Sequence, residues 1–367
     1  MKEEKHTCDI CHEERDLSEL TYFDESYLCE DCLRRETFIC RDCGDRHWND
    51  DSADGDLCQT CYDEDYVRCE RCDAVIHYDD ACYHEDEEYH DHPYCRDCFD
   101  MDETIHDYYY KPEPIFYGDG PRYLGVELEL DDGGENEFCA SKLLDIANAQ
   151  KERMYIKHDG SLDDGFECVT HPMTLDYHIN QMPWRSILNK AVAKGYLSHQ
   201  AGTCGLHVHI SRNALGANYE EQEATIAKIL YFYEKFWNEI LTFSRRTESQ
   251  AEHWARRYGG GIINPKETLK HAKNSHMGRY AAVNLENEAT IEMRIFRGTL
   301  KYNTFIATLQ MVDEICKVAI SLSDEFMQGL TWLDFVKGIA DGKQELINYL
   351  KEKRLYVNEP IRNEVEI

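Results

Sequence analysis

No stretch of this 367-residue chain approaches the ~18–20 consecutive apolar residues of a membrane-spanning helix. Met1-Lys2-Glu3-Glu4-Lys5 is charged and no apolar core follows it, so a secretory leader is not expected. Basic residues are scarce: 40 Lys+Arg stand against 72 Asp+Glu, a formal net charge of −32. No stripe of Lys and Arg is present to neutralise phosphates, which disfavours nucleic acid as a partner. The H-E-x-x-H helix of many zinc hydrolases is also missing. These absences lead to the expectation of a soluble, cytoplasmic protein with no membrane partner.

Charge and cysteine are both concentrated at one end. Residues 1–110 hold 35 Asp+Glu against 10 Lys+Arg, a balance of −25, leaving −7 of the −32 for the rest. Thirteen of the 17 cysteines lie in the same region. Twelve form C-x-x-C pairs: Cys8/Cys11, Cys29/Cys32, Cys40/Cys43, Cys58/Cys61, Cys69/Cys72 and Cys95/Cys98. The loops inside successive modules are 17, 14 and 22 residues, and seven residues separate one module from the next both times. Two C-x-x-C turns supply the four thiolates of a tetrahedral zinc site, so about three structural zinc ions are expected. Sequential pairing is simplest, though a cross-braced arrangement uses the same spacings. Redox dithiols are the competing reading, but six turns in register exceed what redox chemistry needs. Cys82, His84, His90 and His92, in the third loop, are further donors that could replace a thiolate or bind another ion. The acidity of the array favours a protein partner, a basic one, or a role in shaping access to the rest of the chain. A purely structural array is the alternative.

Proline and glycine mark a connection near residues 101–120, with Lys111-Pro112-Glu113-Pro114 and Gly118-Asp119-Gly120-Pro121. The expected division is three zinc modules over 1–100, a linker over 101–120, a second domain over 121–356 and a tail over 357–367. The second domain reads as strands near 122–130, 153–158, 166–170, 204–211, 279–285 and 289–297. Helices are expected near 139–150, 175–194, 219–243, 303–321, 331–339 and 343–353, with a Gly-rich loop from Tyr258 to Gly261. Ile226, Ile229, Leu230, Tyr233, Phe236 and Trp237 recur at helical spacing and read as core.

Three of the strands share a pattern. Side chains of a strand alternate faces. Glu127 and Glu129 therefore share a face opposite Val126, Leu128 and Leu130. His207 and His209 oppose Leu206, Val208 and Ile210, and Glu292 and Arg294 oppose Ile291, Met293 and Ile295. Adjacent carboxylates on a half-buried strand repel unless a cation lies between them. The pattern implies a sheet packed on helices by one face, with a charged, cation-binding cavity on the other.

Five segments occur in this order: G-V-E-L-E-L (125–130), H-D-G-S-L with F-E-C-V-T-H-P (158–172), C-G-L-H-V-H-I-S (204–211), R-Y-A-A-V-N-L (279–285) and T-I-E-M-R-I-F-R-G-T-L (290–300). Together they resemble the amidoligases of the carboxylate–amine ligase superfamily, similar to glutamate–cysteine ligase and more distantly to glutamine synthetase. The resemblance spans roughly residues 121–320. It implies an α+β fold whose antiparallel sheet curls into a funnel flanked by helices, with ATP and two or three magnesium ions at its mouth. It implies Glu127, Glu129, Asp159, Glu167 and Glu292 as cofactor ligands, with Glu127, Glu129, Glu167 and Glu292 on magnesium. It implies His207 or His209 as a metal- or phosphate-contacting group, and Arg294, with Arg279 and Arg297 as weaker candidates, as phosphate-neutralising. Relatives often have one histidine where this chain has His207-x-His209, so which of the two acts is left open.

The residues support that chemistry without the family. Carboxylates select hard cations such as magnesium, and arginines pair bidentately with phosphate. The expectation is an ATP-dependent ligase joining a carboxylate to an amine through an acyl phosphate, on small compounds or on a protein or peptide. The alternatives are a phosphotransferase of the same fold, a zinc-array adaptor without activity, and a zinc hydrolase using His207 and His209 with His158 or His171.

Overall fold

The computed structural model describes residues 5–83, 93–99, 104–259 and 264–357. His84, His90, His92, Gly260, Gly261 and the tail from 358 onward lie outside the described residues. The chain divides into two compact units, Met1–Asp102 and Glu103–Ile367.

The first unit repeats one local design three times. A short antiparallel hairpin carries the first C-x-x-C turn at its tip: Lys5–Thr7 with Glu14–Asp16, Thr37–Ile39 with Arg46–Trp48, and Tyr66–Arg68 with Val75–His77. The residue after the second cysteine, His12, Gly44 or Asp73, takes a positive φ of 64°, 75° or 60°. Its N–H then donates to the carbonyl of the first cysteine at 2.8–3.0 Å, closing the turn. A second C-x-x-C opens a short helix, Glu30–Glu36, Gln59–Asp65 or Arg96–Phe99. Among the described residues, the buried apolar cluster of the first module is Cys8, Leu28, Cys29 and Cys32, and that of the second is Cys40, Leu57, Cys58 and Cys61. Apolar cores this small are commonly supplemented by a structural metal or other cross-link.

The second unit is a mixed sheet covered by helices. Its strands are β1 (Ile105–His106), β2 (Leu124–Leu130), β3 (Met154–Lys157), β4 (Phe166–Thr170), β5 (Leu206–Ser211), β6 (Val283–Asn284) and β7 (Thr290–Met293), in the order β1-β3-β4-β2-β5-β7-β6. Every pairing is antiparallel except β1 with β3, which is parallel. The wholly antiparallel sheet expected from sequence is corrected at that edge. β1 falls inside the expected linker, and a two-residue strand carries no periodic signal. The N–H groups of Thr104 and Ile105 donate to the carboxylate of Glu137, and Tyr117 exchanges main-chain bonds with Pro172 and Thr174. Residues 104–120 thus belong to the second unit.

One face of the sheet is apolar throughout. Leu124, Val126, Leu128, Leu130, Met154, Ile156, Phe166, Leu206, Val208, Ile210, Ile291 and Met293 are buried in a single core with the helices Tyr219–Lys235 and Tyr302–Ser321. Two long helices expected from sequence are each broken. The segment 175–194 becomes Leu175–Asn180 and Trp184–Ala193, because Pro183 offers no N–H and steers the preceding residue away from helix. The segment 219–243 breaks at Phe236, between Tyr219–Lys235 and Trp237–Ser244. Among the described residues no helix is long and apolar enough to cross a membrane.

Candidate active site

The other face of the sheet gathers the polar pairs, and the register decides who meets whom. Glu127 lies opposite His207 across β2 and β5, and Glu129 opposite Glu167 across β2 and β4. His209 lies opposite Glu292, which in turn lies opposite Asn284. Glu167 also lies opposite Lys157 on β3. Directly opposed residues of antiparallel strands share a face at ~4.5–5.5 Å between Cα atoms. Segments up to 165 residues apart in sequence therefore converge on one spot.

That spot is a cavity of about 270 Å³ lined by Glu127, Glu129, Asp159, Glu167, His207, His209, Arg279, Glu292 and Arg294. Nine of the ten residues expected there by sequence are present. The tenth, Arg297, is not among the lining residues. It follows Arg294 by three positions beyond the end of β7, where the strand alternation no longer fixes its side. Lys157, Arg246, Asn284 and Tyr108 also line the cavity and were not anticipated. Lys157 was findable, since it alternates with the buried Met154 and Ile156 of its strand, whereas Asn284 sits in a two-residue strand without periodic signal. Arg246 had no such signal, because it sits in a loop just beyond a helix end.

His207 is the hub. Its Nδ1 lies 3.4 Å from Glu127 and 3.6 Å from Glu292, and its Nε2 lies 3.6 Å from Glu129. These separations exceed a good hydrogen bond and leave room for something between the groups. Nδ1 of His207 is buried with no hydrogen-bond partner among the described residues. His209 reaches Glu127 at 3.1 Å through Nε2, but that nitrogen is not aimed to hydrogen bond; its Nδ1 lies 3.2 Å from Thr290 Oγ1. Arg294 Nη1 lies 2.5 Å from Glu292, and Asn284 donates to the other oxygen of Glu292 at 2.8 Å. Gly205 N–H donates to Glu129. Asp159 accepts from the N–H of Ser161 at 2.7 Å.

Two sets of ligand atoms lie within 4.8 Å of one another: Glu127, His207 and Glu292, and Glu129, Glu167 and His207. His207 belongs to both. The electrostatics of these groups fit a cation. Burial raises Glu129 above the ordinary glutamate range, with Asp159 adding to it against His207 and the Gly205 N–H, and burial together with Glu127, Glu129 and Asp159 holds Glu167 well above that range. Lys157 lies 3.1 Å from Glu167, yet one ammonium does not offset burial and three neighbouring carboxylates. Glu127 goes the opposite way: burial would raise it, but His209 and His207 hold it well below its ordinary value. His209 is raised in turn, with burial opposing and Glu127 winning. Buried carboxylates that repel each other, with unpartnered nitrogens among them, are what a divalent ion stabilises.

The arrangement removes the third histidine that a zinc hydrolase would need. His158 pairs with Glu135 at 2.8 Å, and His171 accepts from the N–H of Ile115 at 3.3 Å; neither lines the cavity.

The twelve paired cysteines of the first unit form three four-sulfur groups: Cys8, Cys11, Cys29 and Cys32; Cys40, Cys43, Cys58 and Cys61; Cys69, Cys72, Cys95 and Cys98. Pairing is sequential, not cross-braced. All are free thiols. Cys11 and Cys29 sulfurs are 3.9 Å apart, and Cys72 and Cys95 sulfurs 3.8 Å. A tetrahedron with Zn–S bonds of ~2.3 Å has edges of ~3.8 Å, whereas a disulfide spans ~2.05 Å. The separations fit zinc. Main-chain N–H groups pull Cys8 and Cys40 down to about 6 against the effect of burial, which favours thiolate ligands. Cys82 stands apart from these groups.

A family model described as "Putative amidoligase enzyme" matches residues 144–316, a little under half of the chain. The matched stretch holds Asp159, Glu167, His207, His209, Arg279, Glu292 and Arg294; Glu127 and Glu129 precede it. Among solved structures, the chain is similar to a bifunctional glutathione synthetase from Pasteurella multocida at 14% identity and a TM-score of 0.31. That match covers 65% of this chain, which spans 45% of the length of that protein. No curated protein matches the chain.

Proposed function

We propose that the second unit is an ATP- and magnesium-dependent ligase that joins a carboxylate to an amine. The carrying observation is the pair of cation-ready ligand sets that share His207, with Arg294 and Arg246 beside them. Nε of Arg294 and Nη1 of Arg246 are buried without a hydrogen-bond partner among the described residues, so the cavity holds anion-seeking donors next to cation-seeking acceptors. A metal-bound phosphate chain needs both. The family match over 144–316 supports the same reading.

In this reading Glu127 and Glu292 would hold one magnesium and Glu129 and Glu167 a second, with Asp159 near them; His207, whose neutral ring has one free lone pair, would serve one ion at a time. Bound magnesium would neutralise phosphate oxygens. Arg294 and Arg246 take the remaining charge of the γ-phosphate, with Arg279 at the rim beside Tyr108. A substrate carboxylate oxygen bonds to the γ-phosphorus as the bond to ADP breaks. The amine nitrogen then bonds to the acyl carbon, phosphate leaves with the acyl oxygen, and the amine loses a proton. Positioning and charge neutralisation do most of this work. No side-chain nucleophile is needed, which agrees with the burial of Cys168, Cys204 and Cys316. The sheet is taken as the curled sheet of glutamine synthetase-like ligases, and the zinc array as the part that positions a protein partner.

The test is phosphate release from ATP by the full chain, with magnesium, against panels of carboxylates and amines. Release that requires both supports the ligase. Release that requires an acceptor but no amine converts the reading to phosphotransfer, and none with any pair overturns it. Intact-mass comparison of lysate with and without ATP seeks the condensation product, one water lighter than its parts.

A further inference from the structure

The alternation of β2 runs on for one residue past its end. Glu127 and Glu129 line the cavity, and Asp131 stands two positions further along the same pattern. Asp131 is buried, 1% exposed, yet it does not line the cavity. Its main chain exchanges two hydrogen bonds with Leu197, at 2.9 and 2.8 Å, and the next residue, Asp132, takes a φ of +61°. The strand stops there, and the Asp131 carboxylate turns to two loops.

Four donors fill that carboxylate. Oδ1 accepts from the N–H of Asp132 at 3.0 Å and from that of Asp164 at 2.7 Å. Oδ2 accepts from the N–H of Asp163 at 3.2 Å and from Thr203 Oγ1 at 2.6 Å. Every partner is neutral, so the buried charge serves to strengthen hydrogen bonds. Both loops supply the cavity, through Asp159 and Ser161 on one and Thr203 on the other. The first loop is folded on itself: Asp159 accepts from the N–H of Ser161 at 2.7 Å, and its carbonyl from that of Leu162 at 3.2 Å. At its end Gly165 passes so near β2 that a Cβ on it would lie 1.9 Å from the carbonyl oxygen of Leu130. On the second loop, two residues after Thr203, Gly205 donates its N–H to the Glu129 carboxylate. The charge of Asp159 reaches both Glu129 and Glu167.

We propose that Asp131 is a positioning residue of the cavity: by binding Asp163, Asp164 and Thr203 at once, it holds Asp159 against Glu129 and Glu167 at a separation that suits a divalent ion. A carboxylate is the group this place requires, since its two oxygens accept four bonds and donate none. Asparagine has the same shape but puts an NH2 where one oxygen was. The hydroxyl of Thr203 can turn to accept from that NH2, whereas the main-chain N–H groups of Asp163 and Asp164 cannot. Whichever way the amide lies, one tie to the Asp159 loop is lost, while Glu129 stays fixed on its strand. The hydrogen-bonded crossing stands by itself; its service to a metal rests on the ligase reading of the cavity.

The test is manganese binding to the zinc-loaded full chain, without nucleotide, followed by electron paramagnetic resonance of the free ion, with manganese in place of magnesium on oxygen ligands. The cavity sites are the class that Glu129→Gln removes. Asp131→Asn should weaken that class at least about tenfold in a protein that still melts as a folded one, as the loss of one charge-assisted contact implies. Ile187→Val, in the core on the helix Trp184–Ala193, lowers stability without touching the crossing and should leave the class within about twofold. Should Asp131→Asn not fold, Thr203→Val and Thr203→Ser decide: valine deletes the hydroxyl tie and should weaken manganese severalfold, and serine, which keeps the hydroxyl, should recover the loss. Wild-type manganese affinity in folded Asp131→Asn, equal affinities of the valine and serine variants, or an equal loss in Ile187→Val overturns the proposal. Manganese binding with no class sensitive to Glu129→Gln overturns it together with the metal reading. Binding that follows the expected order, with no amine-dependent phosphate release, supports the positioning role and refutes the ligase alone.

Discussion

Gly205→Ala tests whether the position of His207 governs the cavity. A Cβ on residue 205 would lie 2.4 Å from His207 Nε2 and 3.0 Å from its Cδ2. Ordinary contact begins near 3.4 Å, so the ring must retreat by about 1 Å or the main chain must give. The main chain is pinned on both sides: Gly205 N–H binds the Glu129 carboxylate, and its carbonyl accepts from Glu129 N–H at 3.3 Å. The ring has more freedom, because its contacts to Glu127, Glu129 and Glu292 are all 3.4–3.6 Å. Crowding of this kind costs ~1–3 kcal/mol. In a unit of this size that lowers Tm by several degrees, at ~2–4 °C per kcal/mol. The functional loss should be far larger, since His207 sits in both ligand sets and ~1 Å of misplacement costs ~100-fold in rate. Magnesium titration, ATP turnover and a melting curve on the same preparation measure all three. A variant with wild-type magnesium dependence and turnover would refute the role given to His207, whatever its Tm.

Four further outcomes are expected. Metal analysis should return about three zinc ions per chain, and a strong chelator should unfold the first unit while the second keeps its melting transition, because structural zinc contributes ~10–16 kcal/mol of apparent binding energy. Arg294→Lys should cut ATP turnover severely with the fold intact, since an ammonium cannot bridge Glu292 and a phosphate as a planar guanidinium does. Glu167 is raised, so in the chelated protein its contribution to stability is full below the ordinary glutamate value and is lost as pH rises through its folded value; Glu167→Gln should flatten that decline in urea titrations across pH, and magnesium should release a proton from the wild type. Residues 103–367 should fold alone, whereas a start at 121 deletes β1 and Tyr117 and should melt several degrees lower.

What can be read from sequence follows the strength of local periodicity. β2, β5 and β7 alternate apolar residues with polar ones or glycine, so alternation alone puts Glu127, Glu129, His207, His209 and Glu292 on one face, and Arg294 continues that pattern one residue past the end of β7. The C-x-x-C turns are equally plain, but their pairing is not, because spacing alone allows sequential and cross-braced partners; the shared hairpin-turn-helix design of each module decides it. The helix breaks at Pro183 and Phe236 depend on packing as well as local preference, so a continuous apolar stripe conceals them. β1 and β6, two residues each, owe their pairing to neighbours supplied by distant segments.

The arginines show where pattern reading ends. Arg294 and Arg297 stand three apart in one segment, and Arg245 and Arg246 are adjacent, yet within each pair one residue lines the cavity and the other does not. In the first case the strand ends at Met293, after which side-chain direction is set by the bridge to Gly205. In the second the left-handed turn at Arg245 sends two like charges to different carbonyls. Both choices are made by main-chain hydrogen bonds to residues far away in sequence. The outcome places Arg246 and Arg294 among carboxylates and leaves Arg245 and Arg297 outside the cavity. Charge reversal therefore separates the two places: Arg294→Glu should repel the γ-phosphate and weaken ATP–magnesium binding in a calorimetric titration, whereas Arg297→Glu, outside the cavity, should leave that binding within about twofold.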